Sequence, residues 1–220
     1  LMEDLAGTRY LVDSMRANNH EFTNKLHVIL GLIQMGMYEQ ATAYIENISI
    51  VQREQITEIK TKIEDSSLAA LLIGKIARAA EVNVKLSLRE GSRYCTADLA
   101  LPSGALVTIL GNLIDNALDA MNGMAADYAV QRTLVVGIYS KPGAVLLSVE
   151  DNGPGIAEEI QEKVFEKGFS TKGTGRGTGL FEVKKLTESL GGKILLESHP
   201  GEGTAFTVTF RRAEEKGETE

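Results

Sequence analysis

The chain has 220 residues, a hydrophobic share of 43%, a charged share of 24% and a formal net charge of −7. This composition is typical of a folded globular protein, and the length allows one large domain or two smaller ones. The acidic balance argues against general nucleic-acid binding, and the single cysteine excludes a disulfide framework or a thiolate metal cluster. The longest apolar runs, such as residues 68–73, are far shorter than the roughly 18 to 20 residues of a membrane span.

The first sixty residues predict two long helices. Apolar residues recur at helical spacing over residues 3–34 and 38–60, proline is absent there, and Gly36 offers a tight connection. Two antiparallel helices cannot bury both their shared seam and a second apolar stripe, but two copies packed as a four-helix bundle can. We therefore predict that residues 1–61 form a homodimerisation element.

Alternating apolar runs, turn residues and all four prolines follow. We interpret residues 62–212 as a second domain of mixed helices and strands, and residues 213–220 as a frayed polar tail. Its predicted elements are a helix 66–80, a strand 82–88, a helix 103–122, strands 132–140 and 144–151 joined by the turn 141–143, a helix 178–190, and strands 192–199 and 203–212.

His20 is the first candidate for chemistry. At about 100° per residue, the apolar residues of the first helix gather along one seam, and His20 lies roughly 160° away from it. Glu21 can hold one ring nitrogen as N–H and leave the other as a nucleophile, while Asn24, one turn on, can orient a water. The alternatives are a solvated surface histidine, which we favour for His27, and a zinc site, for which the i+4 position lacks the second histidine.

Two glycine-rich stretches follow the strands. In DNGPGI, Asp151 ends an apolar strand, so its carboxylate can accept the exocyclic amine of an adenine, and Gly153 and Gly155 let the backbone approach a flat ligand. GTGRGTGL, residues 173–180, precedes a helix and offers N–H groups and a helix dipole to phosphates. It matches neither a Walker A loop nor a Rossmann fingerprint. Each stretch alone is also explained as a turn in a β-rich region.

The helix over residues 103–122 carries Asn112 and Asn116 at i and i+4, so both amides project from one face. An amide oxygen is a hard neutral ligand that suits Mg²⁺, which retains water and phosphate oxygens in the rest of its shell. A polar helix face is the alternative interpretation. The pair therefore indicates a candidate magnesium site beside the glycine-rich loops.

The segment VFEKGFSTK, residues 164–172, lies between the Asn helix and the second glycine stretch. Lys167 and Lys172, together with Arg176, can reach the charges of a triphosphate. Phe165 and Phe169 can anchor a loop. The segment therefore suits a phosphate-covering role.

In chain order, HEFTN, NLIDNA, DNGPGI, the Phe-rich segment, GTGRGTGL and GEGTAF resemble the H, N, G1, F, G2 and G3 boxes of the sensor histidine kinases. HEFTNKLHVILGLIQ and GRGTGL are similar to the citrate and C4-dicarboxylate-sensing subgroup. The resemblance implies an α+β chain, in which a dimeric histidine-phosphotransfer hairpin precedes a Bergerat-type (GHKL) ATP-binding α/β sandwich with helices on one face of a mixed sheet.

The resemblance also implies roles for the N-terminal residues. His20 becomes the phosphoacceptor, Glu21 its acid–base partner, and Asn24 the residue that positions water when the kinase dephosphorylates its partner. The phosphoryl group passes from Mg-ATP to His20 and then to an aspartate of a response-regulator receiver domain. Because the sequence opens on LMEDLAGTRYLV, already helix-like, and shows no membrane span, we expect a cytoplasmic fragment of an inner-membrane-anchored sensor.

For the ATP site, the resemblance implies that Asn116 is the Mg²⁺ ligand, that Asn112 supports phosphate or metal contacts, and that Asp151 reads the adenine. The residues that shape and close the pocket are then Gly153, Gly155, Gly175, Gly177, Gly179, Leu180, Gly201, Gly203 and Thr204, with the cations Lys167, Lys172 and Arg176.

Three rival functions remain open. ATP hydrolases of the same superfamily carry a Glu four residues before the metal-binding Asn, whereas this chain has Asn112 there, which favours a kinase. Serine kinases of the anti-sigma type also carry that Glu and lack the helical hairpin. The third is a non-enzymatic scaffold or a phosphotransferase that has lost ATP binding, and the intact Asn116, Asp151 and glycine stretches argue against it. A GHKL-type ATPase or an ATP-binding phosphotransfer scaffold without autokinase activity remains the alternative.

Overall fold

A computed structural model of the chain describes residues 28–124, 131–170 and 177–212, without the side chains of residues 43–53. The chain divides into two compact units, Leu1–Thr57 and Glu58–Glu220. Several residues with predicted roles lie outside the described residues: His20, Glu21, Asn24, His27, Lys172, Gly175, Arg176 and the tail 213–220.

In the first unit, the described residues are helical over 28–34 (α1), turn at Gly36, and continue into α2, Tyr38–Lys62. The turn is closed by a hydrogen bond from the Met37 N–H to the Leu32 carbonyl, 2.9 Å, and Gly36 has a φ of 74°. A left-handed glycine after a helix is a common C-terminal signal, and it lies where the sequence predicted the connection. The last turn of α2 belongs to the second unit, in whose core Ile59 is buried.

The elements of the second unit lie within two residues of their predicted bounds. They are α3 (Ser66–Glu81), β1 (Val84–Leu88), α4 (Ser103–Asn122), β2 (Arg132–Lys141), β3 (Ala144–Asp151), α5 (Gly179–Ser189), β4 (Lys193–His199) and β5 (Gly203–Arg211). β1 begins later than predicted, because Asn83 takes a φ of 57° between α3 and the strand. Two 3₁₀ turns, Glu158–Ile160 and Lys163–Phe165, were not predicted.

The five strands form one mixed sheet in the order β1-β2-β3-β5-β4. β1 pairs with β2 in parallel, and the other neighbours pair antiparallel. β2 and β3 are a hairpin whose turn contains Gly143 with a φ of 79°, at the predicted position. The mixed sheet that the resemblance implied is therefore confirmed.

One face of the sheet is covered by α3, α4 and α5, which contact β1, β3 and β4 respectively. α4 is the central helix, and its apolar stripe is buried: Leu106, Ile109, Leu110, Leu113 and Ile114 are all 0% exposed. On β3, burial alternates along the strand, so Val145, Leu147 and Val149 face the helices. The same alternation places the next inward residue, Asp151, beneath the helix layer at the strand end.

Candidate functional site

Asp151 occupies the end of β3 as an inward-facing carboxylate that is 8% exposed. The Gly153 N–H donates to its Oδ1 at 2.8 Å. Desolvation by burial raises the pKa of Asp151 from 3.8 to about 6; the backbone N–H groups of Gly153 and Thr204 oppose this rise, and the charge of Glu150 adds to it. The site therefore holds a carboxylate that is ionised at neutral pH and has no cationic partner among the described residues, which suits a neutral hydrogen-bond donor.

The loop after Asp151 is packed closely on the β4–β5 turn. A Cβ added at Gly153 would lie 2.6 Å from the Asp151 Oδ1 and 3.2 Å from the Met121 Cγ of α4. A Cβ at Gly155, which has a φ of 71°, would overlap the His199 carbonyl oxygen. Both positions therefore require glycine, one because of the carboxylate beside it and the other because of the turn beneath it.

The two predicted asparagines lie on α4 and reach different neighbours. Asn112 donates from Nδ2 to the Thr108 carbonyl at 2.9 Å. Its Oδ1 lies 2.9 Å from where a Cβ of Gly179 would be, so the first residue of α5 packs directly against it. Asn116 has a buried Nδ2 that makes no hydrogen bond within the described part of the chain. An unpaired buried amide is rare in folded proteins, and a bound ligand is one way to satisfy it.

The second 3₁₀ turn packs on the sheet through an aromatic pair. Phe165 packs edge-to-face on Phe206 of β5, with ring centroids 6.2 Å apart and an interplanar angle of 88°. The Nζ of Lys184 lies 5.5 Å from the centroid of Phe165. The Gly168 N–H donates to the Gly177 carbonyl at 3.0 Å, which joins the two ends of the segment that carries the predicted cations. Phe165 thus packs against β5 and α5, and its predicted role as a loop anchor stays a prediction.

The remaining predicted residues have varied surroundings. Lys167 is exposed. Leu180 is partly buried and packs against the hydrophobic core. Thr204 is 8% exposed, and Gly201 and Gly203 belong to the turn between β4 and β5, where the Gly201 N–H donates to the Pro154 carbonyl at 2.8 Å. Pro154 lies in DNGPGI, so the first glycine-rich stretch and GEGTAF, distant in sequence, meet around Asp151.

Ser198 and Gln161 also belong to this site, and the sequence analysis did not select them. Ser198 is 6% exposed, and the Gln161 side chain donates to its carbonyl at 2.9 Å. The missed signal was the alternation of β4, in which Ile194 and Leu196 are followed by a polar residue at the next inward position. Gln161 carries no such signal, because its partners are backbone carbonyls, one in the preceding loop and one on the distant strand β4.

Other kinds of site find no support in the described residues. Over residues 28–124, 131–170 and 177–212, no group of three or more His, Cys, Asp or Glu side chains is arranged to hold a metal ion. Within the same residues, no helix has the length and apolar character needed to cross a membrane.

Comparison with protein families identifies two segments. Residues 103–214 match the family described as histidine kinase-, DNA gyrase B-, and HSP90-like ATPase. Residues 2–65 match the alpha-helical domain of SpoOB-type sensor kinases. These matches fall on the predicted ATP-binding domain and on the predicted helical hairpin.

Similar proteins are sensor kinases. A probable C4-dicarboxylate sensor kinase of Halalkalibacterium halodurans is 40% identical over 209 residues, 94% of this chain and 39% of that protein. The sensor protein CitS of Bacillus subtilis is 37% identical over 217 residues, 99% of this chain and 39% of that protein. The sensor histidine kinase DcuS of Escherichia coli is 39% identical over 208 residues, 94% of this chain and 37% of that protein. The chain thus spans about two fifths of the length of these relatives.

Among solved structures, the catalytic domain of histidine kinase ThkA matches with a TM-score of 0.54 at 23% identity, over 66% of this chain and 92% of that domain. At this identity the match shows the fold alone. With the sequence relatives and the family matches, it confirms the resemblance stated from the six boxes. The chain belongs to the sensor histidine kinases of the citrate and C4-dicarboxylate subgroup, with an ATPase domain of the histidine kinase-, DNA gyrase B- and HSP90-like family.

Proposed function

We propose that this chain is the kinase core of a sensor that phosphorylates His20 from Mg-ATP and passes the phosphoryl group to an aspartate of a response regulator. The observation that best supports an ATP site is the buried Asp151 carboxylate, held by backbone N–H groups and by no cation of the described segments. A carboxylate kept in this state accepts a hydrogen bond from a neutral amine, such as adenine N6. Gly153 keeps a side chain away from the Asp151 carboxylate, and Gly155 lets the loop pack on the β4–β5 turn.

The phosphate end of the nucleotide lies, in this proposal, toward α4 and the start of α5. Asn116 fits this end through both atoms of its amide, because an amide oxygen suits magnesium and the buried Nδ2, which makes no hydrogen bond within the described part of the chain, can donate to a phosphate oxygen. Bound magnesium neutralises charge on the triphosphate. Asn112 supports Gly179 at the N-terminus of α5, whose free N–H groups face the phosphates. Lys167 and the cations at positions 172 and 176 add positive charge.

Phosphoryl transfer is then a displacement at the γ-phosphorus. A ring nitrogen of His20 attacks in line, an N–P bond forms, and the bond to the bridging oxygen breaks with its electron pair leaving on ADP. Glu21 holds the other ring nitrogen as a donor, and Asn24 orients water when the phosphorylated regulator is hydrolysed. Positioning supplies most of the rate enhancement, as in other phosphoryl transfers.

We further propose a homodimer formed through residues 1–61, with residues 62–212 as the catalytic domain and the receiver domain docking around His20. The parent protein is an inner-membrane sensor of carboxylates, whose cytoplasmic part includes this chain. The printed name of the C4-dicarboxylate sensor kinase relative supports this assignment.

Transfer of label from γ-³²P-ATP to the purified chain tests the proposal, with His20→Gln as the test variant and His27→Gln as its matched control on the same predicted helix. Acid-labile, alkali-stable label on the wild type and on His27→Gln, and none on His20→Gln, is expected. Equal release of inorganic phosphate by all three proteins without labelling would instead identify a hydrolase. Undiminished label on His20→Gln would move the phosphoacceptor elsewhere.

A further inference from the structure

Three polar residues form a row across the inner face of the sheet. The strand register places Asp151 of β3 opposite Thr204 of β5, and Thr204 opposite Ser198 of β4. All three are at most 8% exposed. The two preceding inward rows are apolar: Leu147, Val208 and Ile194, then Val149, Phe206 and Leu196. The core of the sheet therefore ends in a polar row whose first member is the proposed adenine acceptor.

The Ser198 hydroxyl uses its full hydrogen-bonding capacity inside this row. It donates to the Gly203 carbonyl at 2.8 Å, accepts from the Ile156 N–H at 2.8 Å, and lies 3.1 Å from the Thr204 Oγ1. A serine hydroxyl has one proton, which is committed to Gly203, so the Thr204 hydroxyl is the donor in the third contact. Ser198 thus joins the loop after Asp151 to the β4–β5 turn.

Gln161 completes the connection from the first 3₁₀ turn. Its Nε2 donates to the Ile156 carbonyl at 3.0 Å and to the Ser198 carbonyl at 2.9 Å, which uses both amide protons. Ile156 is therefore held at its N–H by Ser198 and at its carbonyl by Gln161. The loop of residues 153–156 is fixed from two sides by side chains that do not belong to it.

The same two segments provide the donors that orient the Asp151 carboxylate. The backbone N–H of Gly153, in the loop, and that of Thr204, at the turn, donate to it. We propose that Ser198 and Gln161 are positioning residues that set selectivity for the adenine amino group, by holding these two donors and hence the carboxylate in place. The inference rests on the proposed function, in which Asp151 accepts the N6 amine.

A positioning role differs in its consequences from a purely structural one. General loosening of the domain weakens every nucleotide alike, since base, ribose and phosphate contacts all suffer. Displacement of the carboxylate removes only the part of the affinity that depends on the amino group. The ratio of affinities for two ligands that differ in this group alone therefore separates the two roles.

The experiment compares ADP with purine riboside 5′-diphosphate, which is ADP without the 6-amino group, by titration calorimetry with Mg²⁺ on the full chain. The wild type should prefer ADP by about ten- to a hundredfold, as expected for one hydrogen bond to a charged group. Ser198→Ala and the isosteric Gln161→Glu should each lower this preference by about fivefold or more, with the affinity for the purine riboside little changed. Ser148→Ala, on the opposite face of β3, is the matched control and should keep the wild-type ratio.

The outcomes distinguish this inference from the function on which it rests. A wild type that binds both diphosphates equally would overturn the adenine role of Asp151 and the inference with it. A wild-type preference that persists in Ser198→Ala and Gln161→Glu would overturn the inference alone. If Ser198→Ala fails to fold, Gln161→Glu decides, because it keeps the side-chain shape and replaces the donor N–H₂ by a charged acceptor, which cannot hold the Ile156 and Ser198 carbonyls.

Discussion

Replacing Asp151 by Asn should stabilise the nucleotide-free protein while weakening nucleotide binding. The amide keeps the shape of the carboxyl and an oxygen for the Gly153 N–H, but it carries no charge to desolvate. Burial is the largest cause of the rise in the pKa of Asp151 from 3.8 to about 6. At about 1.4 kcal/mol for a tenfold change in proton affinity, the fold disfavours the ionised form by roughly 3 kcal/mol. That figure is the upper limit of the expected gain.

The difference in the free energy of unfolding between the variant and the wild type should depend on pH. Because the folded pKa lies above the unfolded one, the folded wild type binds its proton more tightly and gains stability as the pH falls from about 6 toward 3.8. The variant should therefore exceed the wild type in the free energy of unfolding by up to about 3 kcal/mol at pH 8, and the difference should nearly vanish near pH 4. The variant should also bind ADP about tenfold or more weakly at pH 8, since a charged acceptor becomes neutral.

Urea unfolding of the nucleotide-free chain, followed by circular dichroism at several pH values, measures the difference. Glu197→Gln removes an exposed carboxylate from the neighbouring part of the sheet and serves as the control, with an expected change below about 0.5 kcal/mol. A natively folded Asp151→Asn that is no more stable than the wild type at pH 8 would refute burial as the cause of the raised pKa. Undiminished ADP affinity would remove Asp151 from adenine recognition.

Three further predictions concern other parts of the molecule. Gly155→Ala should destabilise the chain by more than about 2 kcal/mol in urea unfolding, because its Cβ would overlap a backbone carbonyl; Gly191→Ala, with a similar φ of 70° and open space, should lose only about 1 kcal/mol. Asp65 caps α3 by accepting a hydrogen bond from the Leu68 N–H. A hydrogen bond from the Ser103 hydroxyl is the main cause of the lowered pKa of Asp65, so the ionised carboxylate stabilises the fold. Asp65→Asn should therefore lower stability at pH 7 by about 1 kcal/mol, and the loss should fade as the pH falls below 3.8 and through the lowered pKa; a pH-independent loss would contradict the reasoning. Asn24→Ala should retain autophosphorylation and lose dephosphorylation of the regulator in labelling assays, and equal loss of both activities would disprove that division of roles.

The sequence predicted the elements well because its signals there are local. Period-two alternation on β3 and period-3.6 spacing on α4 each arise within one element, and both fall within two residues of the structure. The later start of β1 depends on a left-handed Asn83, which the hydrophobic pattern does not report. Gln161 was missed for a different reason, since it donates to backbone carbonyls that no side-chain pattern reports, and only the folded chain brings the Ser198 carbonyl to it.

The polar row explains why the proposed adenine site lies where it does. An inward position at the end of a buried strand is shielded from water, which raises the pKa of Asp151. The same position is close to the loops, so backbone N–H groups can donate hydrogen bonds to its carboxylate. Ser198 and Thr204 satisfy each other and the loop, so Asp151 alone in the row bears a large desolvation penalty. Each fully buried apolar side chain in the two adjacent rows contributes about 1.5–3 kcal/mol, so these rows together offset the penalty of about 3 kcal/mol. The penalty is thus confined to the residue whose charge, without a cation among the described residues, makes it a selective acceptor, and a bound amine would recover part of it.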